Sequence, residues 1–420
     1  MDKGWTRRAA GLAGLAAGLG TGVSAAAATD PLSGPALYAD LKTYFGFGEH
    51  RTGGPADLAV SAWLKRELAA AGYHVEQQDF AYPVFDLTAA AFEIGGRAVE
   101  AFPIWTPRAG EASGPLSATA RPGAVLVMSF RYGTGAPLEA SEVYRKPIEA
   151  AIAAGAAGVV VITENPVGEL VAYNALPKAA PWAVPVLAVA ARDGPAVMAA
   201  AQAGATARLK ISGAMRQGTS NNVVGRRPGS GKPLVISTPK SGWFGCAGER
   251  GSGIAIWLGL ARRLATAKDL NLVLVAASGH EFDGYGGHLF AQALAPSPAA
   301  ARGWVHIGAN VAAYDFALED GVPTRLDHPQ AARLLAVSDS LVPAARAAFA
   351  GQPSYEHPRD IDVQPAGGEI TAYQRMGYKP LVGILGVHPL HHTRRDRPDV
   401  TGPELLEPVA RALAAVIERM

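Results

Sequence analysis

One cysteine, Cys246, stands in 420 residues, which excludes an intramolecular disulfide framework and any multi-thiolate metal or iron–sulfur site. Charge is scarce as well. Asp, Glu, Lys and Arg supply 18% of the chain, and 38 basic against 36 acidic side chains leave a formal charge of +2. That balance excludes the broad basic footprint of a nucleic-acid binder. Aromatic residues reach only 7%, yet hydrophobic residues reach 49%, enough to build a sizeable core and to exclude intrinsic disorder. What is plentiful is glycine (49) and proline (31). They show no collagen period and fit many short loops between packed elements. The length suits about two to three domains.

Residues 1–28 read as an export signal. Lys3, Arg7 and Arg8 precede an uncharged Ala/Gly/Leu run, and Ala26-Ala27-Ala28 meets the small-x-small rule for cleavage. Thr6-Arg7-Arg8 loosely resembles the start of a twin-arginine signal. The run is long enough to span a bilayer, but Gly and Ala give it little transfer free energy. The expectation is a periplasmic or secreted chain without stable membrane association after cleavage. Loss of 1–28 leaves basic and acidic side chains equal in number, so no nucleic acid or other electrostatic partner is expected.

The remainder divides by texture. Asp57–Tyr73 carries Leu58, Trp63, Leu64 and Leu68 at helical spacing, and His74–Phe85 alternates as a half-buried strand. Residues 88–214 alternate strands (Gly123–Phe130, Gly158–Thr163, Val184–Ala190, Ala207–Ile211) with helices (Val143–Ala154, Ala196–Ala203). After 220, strands at Leu234–Thr238, Leu272–Ala277, Val305–Val311 and Leu381–Leu385 each meet a Gly-rich loop. Helices are expected at Ser252–Leu264, His288–Leu294 and Glu404–Ile417. In an open, mostly parallel sheet, the loops at strand carboxyl ends line the ligand crevice. These loops hold Cys246, Glu249, His280, Glu281, Asp283, Asn310, His388, His391, His392 and Asp396.

Their order resembles the zinc-dependent aminopeptidase and glutamate-carboxypeptidase family. Arg51-Thr52-Gly53-Gly54, Asn221–Arg226, Ser252-Gly253-Ile254-Ala255 and His392-Thr393 before Asp396 each resemble a family segment. The run 153–162, with Val-Pro-Val-Leu-Ala-Val at 184–189, is similar to a protease-associated domain. The resemblance implies a mixed, mostly parallel sheet sandwiched by helices. It implies a peptidase-like catalytic domain of residues 29–87 and 215–420, with a protease-associated insert at 88–214. The strands flanking the insert are expected to belong to another sheet, so that its deletion leaves a soluble core.

Such enzymes hold two metal ions that activate water and clamp the scissile carbonyl. The resemblance places the expected ligands on Pro239, Glu249, Phe282, Asn310 and His392, with Glu281 at the general-base position. Pro239 and Phe282 have no donor and Asn310 is a weak one, which argues against the usual two-zinc centre. Glu249 and His392 remain as ligands for a single divalent metal. The cofactor is otherwise unknown.

Two readings follow. In one, the chain hydrolyses peptide or amide C–N bonds at a rebuilt site. Glu281 and His280 then transfer protons, and Cys246 either attacks the acyl carbon as a thiolate stabilised by Arg250 or His280, or is a small buried hydrophobe. Trp243, Arg250 and Asn310 would contact a peptide or amide substrate. In the other, a catalytically inactive relative binds a peptide or small ligand. Arg226–Lys232 superficially suggests a phosphate loop, but it lacks the required spacing and reads as an exposed turn.

Overall fold

The computed structural model describes residues 30–131 and 140–420; the export-signal reading falls on residues outside these. Two helices open the fold, α1 (Gly34–Phe45) and α2 (Pro55–Ala70), the second two residues ahead of its expected start. Both begin with glycine and proline at the N-cap or first turn, where a missing N–H costs nothing.

The next segment contains β1 (His74–Ile94), β2 (Arg97–Val99), β3 (Ala101–Pro103), β4 (Gly110–Ser117) and β5 (Val125–Arg131). Then come α3 (Ala140–Ala153), β6 (Gly158–Glu164), β7 (Val186–Ala190), α4 (Gly194–Gln202) and β8 (Thr206–Arg227). Beyond these lie β9 (Ser230–Pro239), α5 (Ser252–Leu264), β10 (Leu270–Ala277), α6 (Tyr285–Ala293) and β11 (Gly303–Ile307). A separate hairpin, β12 (Tyr314–Glu319) and β13 (Val322–Pro329), precedes β14 (Arg333–Val337) and α7 (Val342–Ala348). The chain ends through β15 (Arg359–Asp360), α8 (Ile370–Arg375), β16 (Leu381–Gly386) and α9 (Pro403–Ile417).

The sheet's heart is the parallel block β10-β9-β11-β16. Its strands read as near-continuous apolar runs because helices cover both faces. On one side α5, α1 and α9 pack with α2 into the largest core, around Trp257, Leu37, Leu41 and Leu413. Helix α5 is buried along nearly its whole length. Gly253 lets it approach the sheet, since a Cβ there would lie 2.8 Å from the Gly308 carbonyl oxygen. On the other side Phe290, Trp304, Tyr373 and Tyr378 form a second core. The fold is mixed α/β with a large, mostly parallel sheet flanked by helices, as the sequence implies. Among the described residues no helix is long and apolar enough to cross a membrane.

The strands flanking residues 88–214 continue into the segment. Strands β1 and β8 pair antiparallel from His74–Arg226 to Ile94–Ala207, running through both expected boundaries. A bulge between Leu87 and Ala89 marks the boundary, but the ribbon continues past it. Through β8 the strands β4-β5-β6-β7-β3 join the same hydrogen-bonded path as the central block. The two strands, 21 and 22 residues long, far exceed the usual strand length.

Candidate active site

The strand carboxyl ends gather the chemistry. After β9 the chain turns sharply, with Phe244 (φ 58°) and Cys246 (φ 33°) both left-handed. It then makes one wide π-helical turn, Ala247–Gly251, leading into α5. Asp396 caps this turn: its carboxylate accepts the N–H of Gly248 at 2.6 Å and of Glu249 at 3.0 Å. A negative charge at a helix start is favourable there. A side chain at Gly248 would collide with Val400 at 2.6 Å and His388 at 2.8 Å, so glycine is required for the approach.

The turn delivers Glu249 and Arg250 to the interior, each with 0% side-chain exposure. Arg250 donates to Glu249 Oε1 at 2.7 Å, reaches Glu369 Oε1 at 3.4 Å and touches His280 Nδ1. On the other side of Glu249, His392 Nε2 meets the same Oε1 at 3.0 Å. His392 Nδ1 lies 3.0 Å from the Ala172 carbonyl, so each of its ring nitrogens faces an oxygen that accepts. Burial would raise the Glu249 carboxyl, but the Arg250 charge and its histidine neighbours outweigh it and hold it well below the usual carboxylate range.

Strand β11 stops at Ile307, short of the expected Val311, because the chain turns through Asn310 in the left-handed region (φ 52°). Asn310 Nδ2 donates to the Gly386 carbonyl and lies 2.9 Å from His391 Nδ1. The His391 ring stacks on His392 at 3.8 Å. Burial and the neighbouring His392 keep His391 well below its ordinary value, hence neutral.

Two catalytic candidates sit elsewhere than expected. Glu281 is fully buried and accepts from Thr52 N at 2.7 Å, Thr52 Oγ1 at 2.9 Å and Ser241 Oγ at 2.8 Å. Burial raises its carboxyl, with these donors opposing. Cys246 does not face the crevice. It lies in the apolar core with its Sγ 3.4 Å from Tyr44 Oη, and burial pushes the thiol well above its ordinary value. A thiolate there has no stabilising partner that overcomes desolvation.

A cavity of about 890 Å³ opens beside this cluster. His280, His306, Glu369, Ser278, Asp283 and His391 lie on its wall; Cys246, Glu249, Arg250, Glu281, Asn310, His392 and Trp243 do not. Glu369 organises the wall, accepting from His280 Nε2 and, at 2.7 Å, from His306 Nε2. Burial would raise Glu369, but His280, His306 and Arg250 hold it well below the usual carboxylate range. His306 Nδ1 in turn lies 2.8 Å from Ser237 Oγ. Trp243 packs instead against Trp105 and Phe282, its indole N–H donating to Asn174 Oδ1 at 2.9 Å.

Glu369 and His306 escaped the sequence reading. His306 carried a usable signal, an imidazole inside the apolar strand Gly303–Ile307. Glu369 carried none: it follows Gly367-Gly368 ahead of a six-residue helix and arrives by tertiary packing.

The residues at the expected ligand positions do not fit a two-metal centre. Pro239 and Phe282 bring no donor, Asn310 directs its N–H at His391, and Glu249 already accepts from Arg250 and His392. Among the described residues, Glu249, His391 and His392 are the group whose ligand atoms all lie within 4.8 Å of one another.

No family model matches the sequence, and no curated protein matches it. Solved structures do match in shape. A zinc aminopeptidase from Bacillus subtilis is similar at TM-score 0.70 and 16% identity, covering 93% of this chain and 95% of that one. A peptidase M28 precursor from Shewanella amazonensis SB2B gives TM-score 0.71 and 15% identity, over 90% and 91% of the two chains. An aminopeptidase from Aneurinibacillus sp. strain AM-1 gives 0.63 and 17%, over 93% and 94%. At such identities the likeness is one of fold, and the chain has a zinc-peptidase-like fold.

Proposed function

We propose that the protein is an exported hydrolase of peptide or amide C–N bonds, with the His280–Glu369 pair as its proton-transfer unit. The observation that carries this reading is the cavity wall itself: an imidazole held by a half-buried carboxylate beside Ser278, Asp283 and His391. Glu369 fixes the His280 Nε2–H, which leaves Nδ1 as the basic nitrogen. Arg250 lies on that lone pair. Proton uptake at Nδ1 from the water that attacks the acyl carbon therefore requires the guanidinium to shift toward its carboxylates, Glu249 and Glu369. The imidazolium so formed is stabilised by Glu369 and returns the proton to the leaving amine. The fold likeness to aminopeptidases agrees with a peptide or amide substrate, and an inserted protease-associated unit is part of the same proposal.

A second reading, a peptide-binding protein without turnover, is favoured by two observations. Glu281 and Cys246 are off the cavity wall, and Arg250 covers the basic nitrogen of His280.

The test is hydrolysis of a panel of aminoacyl amides and dipeptides by the parent, His280→Ala and Glu369→Gln. Each folded variant should lose about 10²-fold in rate. Full activity in both sinks the proposed unit. No turnover by the parent, together with ligand-induced rises in melting temperature, selects the binding protein.

A further inference from the structure

We infer that Arg250 is a built-in cation that takes the place of a metal ion at this centre, so that the protein excludes zinc until the guanidinium is removed. The inference does not depend on whether the cavity turns substrate over. It rests on how Glu249, His391 and His392 are occupied.

These three buried residues bring ligand atoms within 4.8 Å of one another. That is a spacing at which one ion can meet all three. Each is already engaged. Glu249 Oε1 accepts from Arg250 at 2.7 Å and from His392 Nε2 at 3.0 Å. His391 Nδ1 faces the Asn310 amide nitrogen at 2.9 Å. Glu249 Oε2 is left with no hydrogen-bond partner among the described residues, and a single oxygen is a poor seat for zinc.

Arg250 is what closes the centre. Its guanidinium is wholly buried and lies between two carboxylates, Glu249 and Glu369. An arginine remains charged at any accessible pH. A divalent ion on Glu249 would sit beside that charge in a low-dielectric interior, where like charges repel strongly. The guanidinium also satisfies the carboxylates that would otherwise be stranded. It does the neutralising work of a metal with a covalently attached cation. Its position, one residue after Glu249 on the π-helical turn, fixes that arrangement in the chain.

The experiment measures zinc content after equilibrium dialysis of the full-length protein in excess zinc chloride. The parent should retain no zinc that depends on Glu249 or His392. Arg250→Met keeps much of the side-chain volume without charge or donors. It should bind about one zinc per chain, melt at a higher temperature when zinc is present, and lose both properties when Glu249→Gln is added. Arg250→Lys, which keeps a positive charge, should stay zinc-free. If Arg250→Met folds only when refolded with zinc, that rescue also supports the inference. A folded Arg250→Met that binds no zinc overturns it. So does a parent protein that binds one zinc lost in Glu249→Gln or His392→Ala; this measurement decides the matter even if no Arg250 variant folds.

Discussion

The Lys240 ammonium and the Asp57 carboxylate form an ion pair in which both side chains are 0% exposed. Asp57 comes from α2, and Lys240 follows the carboxyl end of β9. The carboxylate also accepts from Ser220 Oγ at 2.6 Å, Ser278 Oγ at 2.5 Å and Gly53 N at 2.9 Å. One buried knot thus ties α2 and β8 to the loops after β9 and β10. Desolvation pushes Lys240 down, and Asp57 raises it back part of the way. Removing one member strands the other, at a cost of about 3–5 kcal/mol. Lys240→Met should therefore lower stability by that amount in chemical denaturation. The double variant Lys240→Met/Asp57→Leu should recover part of it, since no uncompensated charge remains. Equal stability of the single variant and the parent would show the pair to be idle.

Glu281 is predicted to be structural. Three donors converge on its carboxylate, so Glu281→Gln turns an all-acceptor group into one that must aim an NH₂ at other donors. The cost is about 1–3 kcal/mol. In a hydrolytic assay the folded variant should keep its kcat within about tenfold, whereas a proton shuttle would lose 10²-fold or more. Melting temperature and kcat measured on the same preparation separate the two.

Much of the central sheet was legible because periodicity survives in its strands and helices. The helix Ser252–Leu264 and the strand Leu381–Gly386 follow directly from apolar runs bounded by glycine. The order of loops was legible too, since strand ends in a parallel sheet collect ligand-binding residues. Which side chains face the cavity was not. Glu281 shares a loop with His280, yet only His280 reaches the cavity, in a loop where Gly279 and Asp283 are left-handed. Backbone turns of that kind leave only faint sequence signals. The ribbon beyond Leu87 was illegible for another reason: its pairing partners lie more than a hundred residues away.

Acid should destabilise the fold through His50. Its ring stacks on Tyr44 at 3.9 Å, and neither ring nitrogen has a hydrogen-bond partner among the described residues. Burial lowers its pKa from 6.5 to about 3. Between those values the unfolded chain binds a proton that the folded chain does not. Stability is therefore fully present above pH 6.5 and falls as pH drops toward 3, with a slope of up to about 1.4 kcal/mol per pH unit. His391, also held neutral, adds in the same direction. His50→Phe should flatten the stability profile between pH 6 and 4; an unchanged slope would place the titration elsewhere.

Deleting residues 88–214 should yield an insoluble core. The segment shares one apolar cluster with the rest of the chain, including Phe102, Trp105, Trp243, Phe244 and Phe282. Phe102 lies 4.8 Å from Phe244, and Trp105 lies 5.3 Å from Trp243, between ring centroids. The segment also supports the site directly: Ala172 N donates to the His392 carbonyl and Ala175 N to the Glu281 carbonyl, each at 3.0 Å. Deletion would expose Trp243, Phe244 and Phe282 together, a contiguous apolar patch of the kind that drives aggregation. It would also leave the Trp243 indole N–H without Asn174. Aggregation, or dye binding by any soluble fraction, is the expected result. A soluble, monomeric deletion variant that binds no hydrophobic dye would mean that this cluster closes without the segment. The milder Asn174→Ala should then cost nothing, instead of the about 1–3 kcal/mol set by an unpaired buried donor.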